Sequence, residues 1–283
     1  MRGSLLAITA LAILLTGCAG PVDPPAPNEA VQPATLDNGD EIVPAVDLVG
    51  VWKVTNAAGE GDDTYLRLAE EVMVWNDCGI ASGSWAARND AFIASFNLWS
   101  GDSCDFEDEF PAKWVTDATG YGYIDGDLSL LGAAGERLAT LTKDGKPRTD
   151  PNMVDDFREQ PVLDDLYNRP YEDSVALPSE AQPAKSIVGR WLPTDSTGDT
   201  EPFVEFLADG TYRGSDGCNG LGGRWVAGDL GDVLTTSGFS TAIGCDGSGA
   251  PYDVGQAALV GMVGDELTLY DAEGTRLSSF VRA

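Results

Sequence analysis

The chain has 283 residues, with 46 acidic side chains against 17 basic ones and no histidine, for a net charge of −29. That acidity argues against nucleic acid and against electrostatic adsorption to anionic lipid, both of which need a cationic face. The missing histidine excludes Ser-His-Asp and Cys-His catalysis and the histidine zinc signatures.

Residues 1–17 read as a signal peptide. Arg2 precedes an apolar run from Leu5 to Leu15, broken only by Thr9. One cation, a short apolar core and small residues before a cleavage point are the parts of a secretory signal. The run is too short to span a bilayer, which takes about 20 apolar residues. Leu15-Thr16-Gly17-Cys18 resembles the bacterial lipobox. This implies a Cys18 thiol acylated by palmitate-type chains and a mature protein held at the extracytoplasmic face of the cell membrane. Cleavage would remove Arg2 and no acid, so attachment rests on the lipid and not on charge. Residues 18–46 carry Pro21, Pro24, Pro25, Pro27, Pro33 and Pro44 among small and polar residues. Such a stretch buries too little surface to fold alone and is expected to act as an extended tether.

The remainder repeats itself. Val49-Gly50-Val51-Trp52 returns as Val188-Gly189-Arg190-Trp191, and Cys78 with Trp85 returns as Cys218 with Trp225. Asp127-Leu128-Ser129-Leu130 returns as Glu266-Leu267-Thr268-Leu269, and Arg137 as Arg276, all at offsets of 139 to 140 residues. A steady offset predicts a tandem duplication, with one unit over 47–142 and a second over 186–283. Within the second, Phe203–Phe206 and Thr211–Arg213 flank Ala208-Asp209-Gly210, a hairpin signal. Leu267, Leu269 and Leu277 surround a further turn at Asp271–Gly274. Val254, Ala258 and Met262 recur every four residues and predict a short helix from about 252 to 262; Phe110 and Trp114 stand at the equivalent place in the first unit. The expected fold is mostly β (α+β): two small tandem antiparallel sheets, barrel-like, each with one short helix. Residues 143–185 contain Pro147, Pro151, Pro161, Pro170 and Pro178, which argue against a long helix. Met153, Phe157, Leu163, Leu166, Tyr167 and Tyr171 make this connector too apolar to be free, so it is expected to pack on one or both units with a helical turn or two.

Four cysteines besides Cys18 permit three pairings. If each unit folds alone, the bonds are Cys78–Cys104 and Cys218–Cys245, each closing a loop worth about 3–4 kcal/mol on the chain-entropy model. Metal or redox chemistry is the rival. Two cysteines per unit without histidine make a poor zinc site, and no Cys-x-x-Cys occurs. No metal and no cofactor are expected. The recurring Trp52, Trp85, Trp191 and Trp225 read as core. Trp75, Trp99 and Trp114 occur in the first unit alone and are the better candidates for stacking on a ligand.

The segment from Ile187 to Phe280 resembles the META domain, or HslJ-like, family. The residues that carry the resemblance are Trp191-Leu192, Ser215-Asp216-Gly217-Cys218-Asn219, Gly223 to Trp225, Ser240-Thr241 with Cys245, and Leu267-Thr268-Leu269. Trp191, Gly217, Asn219, Trp225 and Thr241 are its motif positions. The first unit departs from the pattern, with Asp77-Cys78-Gly79 in place of Gly-Cys-Asn and no threonine before Cys104. The resemblance implies a compact β-rich fold in bacterial envelope lipoproteins linked to stress responses, without catalytic activity.

No phosphate-binding glycine loop appears. The acidic run Asp102–Glu109 offers oxygen ligands for calcium but lacks the Asp-x-Asp-x-Asp-Gly frame, and reads as a solvated loop. The expected function is that of a non-catalytic, monomeric, membrane-anchored lipoprotein binding an envelope protein or ligand. The alternative is a cell-wall glycan hydrolase using two carboxylates, which requires a cleft lined by close Asp/Glu pairs and by Trp75, Trp99 and Trp114.

Overall fold

The structure is a computed structural model that describes residues 43–101, 112–151, 153–166, 171, 173–195, 201–228, 230–238, 240–244 and 247–283. The signal peptide, Cys18, nearly all of the tether, Cys104, Asp102–Glu109, Phe110 and Cys245 lie outside the described residues.

The protein is mostly β, in two antiparallel sheets. The first holds β1 (Gly50–Thr55), β2 (Tyr65–Leu68), β3 (Val72–Asn76), β4 (Gly79–Arg88) and β5 (Ala91–Ser100). The helix α1 (Lys113–Thr116) follows, and then β6 (Gly120–Ile124), β7 (Asp127–Leu131) and β8 (Arg137–Thr142). Each strand pairs with the next and β8 returns to β1, giving a closed eight-stranded barrel. After β9 (Gln182–Pro183), the second sheet runs through β10 (Gly189–Pro193), β11 (Phe203–Phe206), β12 (Thr211–Ser215), β13 (Gly220–Ala227) and β14 (Val233–Thr235). A 3-10 turn over Ala250–Gln256 precedes β15 (Leu259–Val263), β16 (Glu266–Tyr270) and β17 (Arg276–Arg282). Its order, β14-β13-β12-β11-β10-β17-β16-β15, is the order of the first barrel, with β9 added beside β15.

The equivalence extends to side chains. Trp52 Nε1 donates to Leu48 O and Trp191 Nε1 to Ile187 O, both at 2.8 Å. Lys143 lies 4.8 Å from the Trp52 ring centroid, and the Arg282 guanidinium lies 4.6 Å from that of Trp191. Trp85 donates to Ala69 O and Trp225 to Leu207 O and Thr211 O. Indole rings bury a large area and need a partner for the N–H; here each finds a carbonyl at a strand end, which fixes the ring at the base of its core. Around Trp52 and Trp85 gather Leu66, Val74, Phe92, Tyr121, Leu130 and Leu141. Around Trp191 and Trp225 gather Val204, Phe206, Val233, Leu267, Leu269 and Phe280.

The hairpin turns fall where glycine allows positive φ, Gly210 at 79° and Gly274 at 80°. The helix expected over 252–262 is corrected: the 3-10 turn ends at Gln256, and Met262 belongs to β15. The spacing of Val254, Ala258 and Met262 came from a buried turn residue followed by strand. Backbone pairing of Val260 with Leu269 and of Met262 with Leu267 overrides the helical period.

Strand burial separates the two barrels. β12 alternates between buried and accessible positions, as a strand with one face in water should. β2 and β3 are buried on both faces. The connector accounts for this. Met153 and Phe157 cover an outer cluster of Val51, Tyr65, Met73, Trp75 and Ile80. Further on, Leu166 and Tyr171 join the first core, while Leu177 and Ala181 pack on Leu259 and Tyr270 of the second sheet. The connector thus packs on both barrels, with 3-10 turns at Asp155–Arg158 and Leu163–Asp165.

Candidate functional site

Each barrel has one weak seam. In the first, β5 and β6 meet through a single bridge, Ala91 with Gly120, with Phe92 N donating to Thr119 O (3.1 Å) and Tyr121 N to Asp90 O (3.0 Å). In the second, Asp232 bridges Leu259, with Val233 N donating to Ala258 O (2.9 Å) and Val260 N to Gly231 O (2.7 Å). The strands are not paired further, so outward carbonyls such as Val233 O and Ala94 O need partners from elsewhere, while Ala258 O already accepts from Val233 N.

The opposite barrel provides them. Arg88, at the end of β4, donates through Nη1 to Val233 O (3.3 Å) and Ala258 O (3.2 Å) in the second sheet. Arg224, on β13, donates through Nη1 to Ala94 O (3.1 Å) and to Thr116 O in the first. Ala86, Ala91, Ile93, Val226 and Leu234 form an apolar plug between the two hairpins. Ser84 Oγ donates to Ser237 O at 2.7 Å beside it. An apolar centre with polar groups around it is the anatomy of a specific interface. Burial presses both guanidinium pKa values down; Asp232 and Asp173 oppose this at Arg88, and Asp117 and Asp209 at Arg224.

Alongside the plug lies a cleft of about 270 Å³ whose lining includes Ser84, Arg88, Thr235, Ser237, Gln256 and Ala258. A smaller recess of about 70 Å³, beneath Tyr212 and Tyr252, shares Ser237 and Gly255 with it. Burial pushes the Tyr212 phenol up to about 12, so it stays a neutral donor, to Thr236 O. Hydroxyls, an amide and one guanidinium suit hydrogen bonding to a polar, uncharged or anionic group. Among the described residues, neither the cleft nor the recess is lined by an aspartate or glutamate. Among the described residues, no three His, Cys, Asp or Glu side chains gather as a metal site.

The tryptophans fall differently from expectation. Trp75 and Trp114 are buried, the latter donating to Glu60 Oε1 at 2.7 Å. Trp99 is half-buried and donates to Gly101 O. None of the three lines the cleft, whereas the recurring Trp85 does. Arg88 and Arg224 were not singled out from the sequence, although each is a lone cation in a run of small or apolar strand residues, which is the available signal for a buried arginine.

Of the motif residues, Gly217, Asn219 and Thr241 are brought together at the start of β13. Gly217 has φ of 96°, in the left-handed region that favours glycine. Asp216 Oδ1 accepts from Cys218 N and Asn219 N, and its Oδ2 from Asn219 Nδ2 (3.1 Å) and the Tyr252 hydroxyl (3.3 Å). Asn219 also donates to Ile243 O (3.0 Å) and accepts from Thr241 Oγ1 and Ile243 N. Asn219, Thr241 and the cysteine turn therefore clamp the 240–244 loop to β13, while Trp191 and Trp225 sit in the core. In the first barrel, Asn76 Oδ1 caps Cys78 N as Asp216 caps Cys218 N. Gly79 follows at φ 147°, where a Cβ would lie 2.4 Å from Ser100 O. The long β5 occupies the space that the Asn219 side chain fills in the second unit. Cys78 and Cys218 are each disulfide-bonded.

Burial alone would raise the Asp216 carboxyl, but the hydrogen bonds from Asn219, Cys218 and Tyr252 outweigh it and hold the pKa below the ordinary value. A depressed folded pKa means that this stabilisation is present above the unfolded value of about 3.9 and is lost as pH falls through the folded one. Chemical denaturation from pH 6 to pH 2 should show the wild type losing its advantage over Asp216→Asn below about pH 4. A gap independent of pH would count against an ionised Asp216.

No family model matches the chain, and no curated protein or solved structure matches it either.

Proposed function

We propose that the protein is a lipid-anchored envelope lipoprotein with a binding role and no catalysis. The cleft between the barrels would be its binding place. The observation that carries this reading is the set of hydrogen-bonding side chains, Ser84, Arg88, Thr235, Ser237 and Gln256, that the two barrels bring to that cleft. Preformed clefts with a few convergent polar groups are the usual places for ligands. The anchor rests on the Leu15-Thr16-Gly17-Cys18 quartet, and the META-like assignment on the motif positions Trp191, Gly217, Asn219, Trp225 and Thr241. Intra-unit pairing of Cys78 with Cys104 and of Cys218 with Cys245 fits two units of like topology.

Two measurements test this. Metabolic labelling with a palmitate analogue should mark the wild type and not Cys18→Ser; label retained by the variant refutes the anchor. Incubated with soluble cell-wall glycan fragments, the full chain should release no new reducing ends, and any saturable binding should weaken on Gln256→Ala. Release of reducing ends would establish the hydrolase instead.

A further inference from the structure

The outer faces of the two barrels, equivalent in register, have opposite character. On the second, Arg190 lies over Phe203 at 3.5 Å and Arg213 pairs with Glu205 at 2.8 Å, so the face satisfies itself in water. On the first, the corresponding positions are Val51, Tyr65, Arg67, Met73 and Trp75, and the connector lies over them.

The cover fits imperfectly. Arg67 is 6% exposed, with its guanidinium 5.2 Å from the Phe157 ring centroid and one contact to Glu70 at 3.7 Å. Its Nε and Nη1, and Nε1 of the fully buried Trp75, have no hydrogen-bond partner among the described residues. Buried donors without acceptors disfavour the closed state. Among the described residues, few side-chain bonds run from the cover to the barrel. Gln160 accepts from Val51 N (3.0 Å) and donates to Val51 O (2.8 Å), imitating a neighbouring strand. Arg148 donates to Asn76 O at 2.6 Å. The ion pairs Lys146–Glu159 and Arg158–Asp155 include exposed partners that water screens. Gly145 begins the segment at φ 70°, its Cα so close to the Tyr65 hydroxyl that a Cβ would lie 2.4 Å from it.

We propose that residues 145–151 and 153–160 form a strap that opens as a local unit over the first barrel, uncovering Tyr65, Met73 and Trp75 while the barrel stays folded. Local opening of this kind is expected where apolar cover is thin and the hydrogen bonds are few. The inference is independent of the binding cleft.

Amide exchange of the full chain, followed by NMR, tests it. Val51 N–H is held by Gln160 and reports the strap; Val54 N–H, bonded to Thr64 O at 2.9 Å, reports the barrel. Val51 should exchange faster than Val54, with little dependence on added urea. Gln160→Ala should speed Val51 exchange about tenfold, the loss of roughly one net hydrogen bond or more. Arg67→Met, which replaces the orphan donors by an apolar chain of similar length, should slow it, while Val54 holds its rate in both variants. Exchange of Val51 in step with Val54, or an Arg67→Met strap that opens as fast as the wild type or faster, overturns the proposal.

Discussion

Replacing Arg224 by alanine should destabilise the protein by about 3 kcal/mol, because it takes the arginine donor from two part-buried carbonyl acceptors at roughly 1–3 kcal/mol each. The carbonyls are those of Ala94 and Thr116, at the first barrel's open seam. Arg88→Ala should cost less, about 2 kcal/mol, because Val233 O loses its donor while Ala258 O still accepts from Val233 N. The double variant matters most. Ala86, Ala91, Ile93, Val226 and Leu234 form only a small apolar contact, so the arginines carry much of the coupling between barrels. Wild-type urea unfolding should be one transition by tryptophan fluorescence and by far-UV circular dichroism. In the double variant the two probes should separate as the barrels unfold independently. An Arg224→Ala midpoint within experimental error of wild type would show that the seam carbonyls are hydrated, and that reciprocal capping does not hold the barrels together.

How far this could be read from the chain follows from what repeats. Trp52 and Trp191, with the cations Lys143 and Arg282 that cover them, lie at one offset, and so do the strand-end leucines around β7 and β16. Local patterning sufficed for strands, turns and core because each residue there answers to its nearest strand neighbours. It failed over 252–262, where Gly255 and the 3-10 turn give way to β15 while the apolar spacing continues. It also failed for the unpaired tryptophans. Trp75 exists because a segment 80 residues later covers it, and no local window contains Met153 and Phe157. The cleft was illegible for the same reason: it arises where two hairpins from different units meet, and Arg88 and Arg224 take meaning only from the carbonyls opposite.

Asn219→Ala should destabilise the second barrel by about 3 kcal/mol, through loss of four side-chain hydrogen bonds at about 0.5–1.5 kcal/mol net each. The alternatives to a simple packing effect can be separated. Asn219→Asp keeps the acceptors for Thr241 and Ile243 but sets a second carboxylate within reach of Asp216 Oδ2, 3.1 Å from the present amide nitrogen. Like charges so placed raise a pKa and disfavour the fold while both are ionised. Its penalty should therefore be larger at pH 7 than at pH 4, where one carboxyl can be protonated, whereas that of Asn219→Ala should change little. The first barrel supplies the control. Gly79→Asn restores the motif residue there, yet its Cβ would meet Ser100 O, so it should destabilise instead of rescue. If Gly79→Asn were neutral, β5 would not be filling the place of the asparagine. The two units would then have lost and kept that residue for reasons other than the length of the strand beside it.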